Sequence, residues 1–173
     1  MAHTTRTATD TDYGFQVSEA WTAYWVAMLR VITGWWFSHA GFTKLLDSGL
    51  NFGYAAAYLE GMSGTTLGPV TTFLTGYPNL VGAMVPLFET LIGLALIAGL
   101  LTRLASFGGV MFMSLFWVGN ADFAHGLVNG DLMGLLLFVT MIVFAAGRYY
   151  GLDASVERLQ FVQNNPRLKY LLG

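Results

Sequence analysis

Arg30 and Glu89 are the residues most able to do chemistry, because each interrupts a long apolar run, residues 21–42 and 80–101. A single charge at the centre of a membrane helix costs roughly 3 kcal/mol on insertion scales. A buried guanidinium costs far less when a carboxylate meets it bidentately. Counted from opposite ends of their runs, the two charges fall at similar depth, so the sequence predicts an intramembrane Arg30–Glu89 ion pair. The helical spacing agrees. Arg30, Gly34, Phe37, Gly41 and Lys44 share one face of their run, and Gly82, Pro86, Glu89, Gly93 and Leu96 share one face of theirs. Small residues beside each charge let two helices approach closely. Two readings stand: a pair that only locks packing, or a polar floor for a ligand or proton relay. A second group, His39, Lys44, Asp122, His125, Asn129 and Asp131, falls near the ends of apolar runs. It reads as a solvated rim, or as a site for an anion or a quinone head group, where His39 or His125 exchanges protons near neutral pH. The spacing matches no metal-ligand pattern, so no metal site is predicted, and no residue is assigned a catalytic role.

These side chains need helices to position them. Hydrophobic residues make up 55% of the 173 and charged residues only 10%, against about 25% charged in a soluble domain. Runs at 21–42, 80–101, 104–119 and 132–147 approach the ~20 residues a membrane span needs. The last two reach bilayer thickness only if their helices continue a turn toward Asp122, Asp131 and Arg148. The predicted fold is all-α: a polytopic, four-transmembrane-helix bundle. Arg6, Arg103, Arg148, Arg158, Arg167 and Lys169 then share one side and Lys44 stands alone on the other, which makes both termini cytoplasmic. Arg103 marks a tight cytoplasmic turn that makes the second and third spans antiparallel neighbours. In the long outer loop, residues 52–60 and 67–75 read as short interfacial helices. Residues 1–19 read as a mobile polar tail with no signal-peptide core, 20–150 as the transmembrane domain, and 151–173 as a cytoplasmic tail with a short helix at 154–162. Trp21, Tyr24, Trp25, Trp35, Trp36, Phe116, Trp117, Tyr149 and Tyr150 cluster near span ends. They read as an aromatic belt at the headgroups or, secondarily, as stacking partners for a quinone.

Other chemistries find no support. There are no cysteines, which removes disulfides, thiolate-held iron–sulfur clusters and covalent haem. The net charge of −2 and the lack of a basic, aromatic-interleaved run argue against nucleic acid. No Gly-rich dinucleotide loop, Walker pattern or Ser-His-Asp set is present, and no covalent cofactor is predicted.

Several stretches resemble the DoxX/DoxD family of membrane proteins: LRVITGWWFSHAGFTKL at 29–45, PNLVGAMVPLFETLIGLALIAGLLTRLASFGG at 78–109, NADFAHGLVNGDLMGLLLF at 120–138 and AAGRYYGLD at 145–153. The subgroup this is most similar to is DoxD-like, named for a subunit of a thiosulfate:quinone oxidoreductase. The resemblance implies a multi-pass protein of the plasma membrane linked to a quinone pool, with quinone as substrate and other membrane subunits or further copies of the chain as partners. Arg30, Lys44, Glu89, Arg103, His125, Asn129, Asp131, Arg148 and Asp153 occupy motif positions, and the resemblance carries their position, not a role. Without cysteine, a persulfide route within this chain is closed, so either both substrates react while held together or a partner subunit contributes. The reading is therefore a membrane subunit of a quinone-linked oxidoreductase. The alternatives are a non-catalytic accessory subunit of a larger respiratory complex and a small proton-coupled transporter carrying protons on Glu89.

Overall fold

The computed structural model describes residues 18–48, 53–120, 123 and 126–173, and every regular element among them is helical. In chain order these are α1 (Glu19–Ser48), α2 (Tyr54–Gly61), α3 (Gly68–Leu74), α4 (Pro78–Ala98), α5 (Thr102–Gly119), α6 (Gly130–Val143), α7 (Asp153–Val156) and α8 (Gln160–Asn164), with 3₁₀ turns at Ala146–Arg148 and Pro166–Tyr170. The four long helices form a ring: α1 packs on α4, α4 on α5, α5 on α6, and α6 returns to α1. Short α2 lies against α4.

Glycine sets the closest contact. A Cβ on Gly34 would sit 2.7 Å from the Gly93 carbonyl oxygen, and one on Gly41 would sit 2.6 Å from the Thr90 amide. Only hydrogen side chains admit that approach, so α1 and α4 touch backbone to backbone. The two predicted faces are the ones that meet. Arg30, Gly34, Phe37 and Gly41 are buried on α1, as are Gly82, Pro86, Glu89, Gly93 and Leu96 on α4. Phe37, Phe138, Leu96, Met113 and Met141 fill the centre.

The exterior inverts the pattern of a water-soluble fold. Trp21, Trp25, Ile32 and Trp35 on α1, Leu87, Leu91 and Leu94 on α4, Phe107 and Met111 on α5, and Met133 and Leu136 on α6 are all exposed. Arg30, Thr33, Ser38, Glu89, Thr102, Ser106 and Asp153 are all buried. A contiguous apolar surface of this extent marks contact with something other than water. Among the described residues α4 is the helix long and apolar enough to cross a membrane, with 21 residues and mean hydropathy reaching 2.1.

Three boundaries differ from the sequence reading. α1 runs past 42 to Ser48, because nothing in Thr43–Asp47 breaks a helix. α6 stops at Val143 and not at 147, since Ala145 adopts a left-handed conformation (φ 49°) that ends it. The helix expected at 154–162 splits into α7 and α8, separated by extended backbone at Leu159. The polar tail expected at 1–19 lies almost wholly outside the described residues.

Candidate functional site

The predicted Arg30–Glu89 pair does not form. Glu89 instead meets Lys44, whose Nζ lies 2.7 Å and 2.6 Å from the two carboxylate oxygens. Arg30 donates to the carbonyls of Ala146 (3.3 Å) and Tyr150 (3.2 Å). Register is the reason. Gly41 sits over the Pro86–Thr90 stretch that contains Glu89, while Arg30 lies against Gly99 at the far end of α4. The 11 residues from Arg30 to Gly41 span ~16 Å along the axis. Counting from opposite ends makes the two apolar runs fill the same depth, but α1 extends six residues beyond its run, and that extension brings Lys44 to Glu89.

At the Glu89 end, four elements converge on the ion pair. The Glu89 side chain is 2% exposed and that of Lys44 39%. The ammonium lies 6.0 Å from the centroid of Phe116 on α5, within cation–π range. Phe116 meets Tyr58 of α2 edge-on at 6.3 Å. Burial, then the Asp131 and Glu89 carboxylates, push the Tyr58 hydroxyl up to about 12, although 52% of the residue stays exposed. That places a neutral hydroxyl near both acids. Pro86 explains the other tyrosine. It has no N–H, so the Gly82 carbonyl one turn back lacks its helical donor. The Tyr54 hydroxyl supplies it at 2.8 Å, pinning α2 over α4.

The rim residues divide. Asn129 caps α6, its Oδ1 accepting the amides of Asp131 and Leu132 at 3.1 Å each, a stabilising arrangement at a helix start. Asp131 accepts from Asn120 Nδ2 at 2.9 Å. His39 lies on the exposed side of α1, its ring 5.9 Å from Trp35, away from the side buried against α4. Asp122 and His125 lie outside the described residues. Of the predicted rim, then, the structure brings Lys44 to the buried carboxylate and gives Asn129 and Asp131 capping and bracing contacts.

At the Arg30 end sits a residue that residue-by-residue reading did not single out. Asp153 is fully buried. Its Oδ1 accepts the Leu101 amide at 2.7 Å, and its Oδ2 accepts the amides of Thr102 and Gly173 at 2.9 Å each. Leu101 and Thr102 open α5, so this carboxylate satisfies two orphan amides and faces the positive end of the helix dipole. α4 closes just before, with Gly99 left-handed (φ 65°) and Leu100 N bonded to Ala95 O at 2.9 Å, a Schellman-type stop. The tight turn between α4 and α5 is therefore there, at residues 99–101, and Arg103 lies just after it in the first turn of α5. A side chain on Gly99 or Gly151 would collide with the Arg30 guanidinium. The stretch that ends in Asp153, Tyr-Tyr-Gly-Leu-Asp, carries no local sign of its role, because the amides it accepts lie at Leu101, Thr102 and Gly173.

Between α4 and α5 runs an apolar groove of about 590 Å³, lined by Phe88, Ile92, Ala95, Leu104, Gly108 and Phe112 among others. Phe88 and Ile92 flank Glu89 on α4. Phe112 touches Phe116 at 5.9 Å, the ring beneath Lys44. The groove thus runs from Leu101 and Leu104 at the α4–α5 turn to Phe88 and Phe112, and the ion pair itself does not line it. A family model described as DoxX matches residues 25–121. The chain belongs to the DoxX family. The matched stretch contains α1 from Trp25 onward, α4, α5 and the Lys44–Glu89 pair. No curated protein matches the chain. No solved structure matches it either.

Proposed function

We propose that this DoxX-family chain is a multi-pass membrane protein and the membrane subunit of a quinone-linked oxidoreductase, of the DoxD-like thiosulfate:quinone kind. In this reading α1, α4, α5 and α6 are its four spans, the Arg30 end is cytoplasmic and the Glu89 end faces outward. The observation that carries it is the apolar groove of about 590 Å³ between α4 and α5, lined by Phe88, the neighbour in sequence of the buried, ion-paired Glu89. That volume lies within the range of small-molecule sites. Its apolar wall suits an isoprenoid tail, and at its Phe88–Phe112 end Phe112 contacts Phe116, the ring beside Lys44.

Reducing a quinone to a quinol adds two electrons and two protons. Joining two thiosulfates into tetrathionate releases two electrons. Lys44, with 39% of its side chain exposed, gives an anionic donor its approach, and Glu89 takes and returns a proton beside it. With no cysteine in the chain, no sulfur adduct forms on it, so the electrons pass directly between bound substrates or through a partner subunit. A second reading, a non-catalytic accessory subunit, draws support from the partners the buried charges find inside the bundle: Asp153 holds three amides, Arg30 two carbonyls, and Glu89 its lysine.

The test is to supply thiosulfate and a short-chain quinone analogue to the purified chain, alone and with whatever copurifies. Quinol and tetrathionate should appear together, and Lys44→Met should lower the rate at least ~10-fold. No turnover alone, together with stable copurification with haem-bearing subunits, would favour the accessory reading.

A further inference from the structure

The chain does not leave the bundle after α6. The segment 153–173 is pinned at both ends to the start of α5. At one end Asp153 accepts the Leu101 and Thr102 amides. At the other, the Leu104 amide donates to the Leu171 carbonyl at 3.2 Å, and the Gly173 amide donates to Asp153 Oδ2 at 2.9 Å. Between these anchors Val162 is buried, and Leu172 is buried just before the second. The segment is therefore a hoop held across the Arg30 end, not a free tail.

Its outward surface is both basic and greasy. Arg158, Arg167 and Lys169 are exposed. So are Leu159, Phe161 at 69% and Tyr170 at 76%. The acidic side chains of the segment do not offset those cations. Asp153 is buried under its three amides, and Glu157 is paired with Arg148 at 2.8 Å. None of the three cations forms an ion pair among the described residues. The hoop also continues a belt: Tyr150 stacks on Tyr24 at 5.1 Å, next to the exposed Trp21 and Trp25 of α1. Aromatic side chains settle at the headgroup level of a bilayer. Basic side chains there lay their stems on apolar surface and extend their charge to lipid phosphate. An anchored hoop presents both without the ordering cost a free tail would meet on binding.

We propose that the hoop 153–173 is a docking surface for anionic phospholipid headgroups of the leaflet on the Arg30 side. Arg158, Arg167 and Lys169 pair with the phosphates, and Leu159 and Phe161 enter the acyl boundary. The proposal needs the chain to sit in a membrane and is independent of the quinone reading.

The experiment titrates the full chain, in mild detergent, with phosphatidylglycerol and separately with phosphatidylcholine, and reads bound lipids by native mass spectrometry. The anionic lipid should bind at least tenfold more tightly. A basic residue near an anionic surface is worth about fivefold in affinity, so Arg158→Gln/Arg167→Gln/Lys169→Gln should weaken phosphatidylglycerol roughly 100-fold and leave phosphatidylcholine unchanged. The charge-preserving Arg158→Lys/Arg167→Lys should keep the preference, and Lys169→Gln alone should cost about fivefold. Equal binding of the two lipids, or a triple variant that binds phosphatidylglycerol like the parent, would overturn the proposal. So would competition by millimolar inorganic phosphate, which would mark a free-anion site. Retention of neither lipid would overturn it along with the membrane placement, while leaving any quinone activity to be read separately.

Discussion

Removing Lys44 should hurt this protein far more than removing Lys44 and Glu89 together. The Glu89 side chain is 2% exposed, and the lysine 2.6 Å away is its only ion-pair partner among the described residues. Breaking a fully buried pair from one side costs about 3–5 kcal/mol. Here the lysine side chain is 39% exposed, so solvent screens the interaction and ~2 kcal/mol is the better expectation. Lys44→Met/Glu89→Gln restores neutrality and should recover about half of that loss; with Glu89→Gln alone costing about 1 kcal/mol, because it strands only the part-exposed lysine, the coupling energy is ~2 kcal/mol. The same cycle with Arg30→Met and Glu89→Gln should give a coupling within about 0.5 kcal/mol of zero, because residues that far apart behave independently. Unfolding of each variant in mixed micelles by titration with dodecyl sulfate reads both cycles. A strong Arg30–Glu89 coupling, or none between Lys44 and Glu89, would refute the helix register on which the site is built.

Other consequences follow from particular contacts. Gly93→Val should destabilise the bundle by about 3 kcal/mol, since its Cβ would collide with the backbone at Ser38 and Gly34. Gly61→Val, where a Cβ meets nothing within 4 Å, serves as the unchanged control in the same unfolding assay. Asp153→Ala strands three amides and should cost ~3 kcal/mol, with Asp153→Asn recovering part of it. Tyr54→Phe leaves the Gly82 carbonyl without its donor and should cost about 1 kcal/mol, measured the same way. Because the chain has no cysteine, Ser155→Cys and Thr66→Cys can each be labelled singly in sealed, oriented vesicles. An impermeant maleimide should reach Thr66→Cys from outside and Ser155→Cys only after lysis, and labelling of both from one side would overturn the four-span topology.

The long helices and the α1–α4 face were legible because glycines, charges and apolar residues recur at helical spacing, and that spacing alone decides which side is buried. The turn at Arg103 was legible for the same reason, two apolar runs meeting with almost nothing between. What the sequence hid was register. The apolar runs mark where hydrocarbon-loving residues stop, but α1 continues six residues past its run, and depth counted from the run placed Arg30 opposite the wrong part of α4. Gly34 against Gly93 and Gly41 against Pro86 would have set it, had close approach been used to align the helices and not just to bring them together. Asp153 was hidden differently. Its role depends on amides at Leu101, Thr102 and Gly173, far away in the chain, and no local spacing announces a cap supplied from another element. The single helix expected at 154–162 failed because Leu159 turns extended to route the chain back to α5.

The central claim, that a lipophilic quinone occupies the groove between α4 and α5, can be tested by photolabelling. A photoreactive quinone analogue is activated in vesicles holding the full chain, and the adducts are mapped by peptide mass spectrometry. The account predicts adducts on Phe88, Leu91, Met111 or Phe112, lost when unmodified quinone competes. Adducts spread over the exposed faces of α1 and α6, or undiminished by competition, would contradict it.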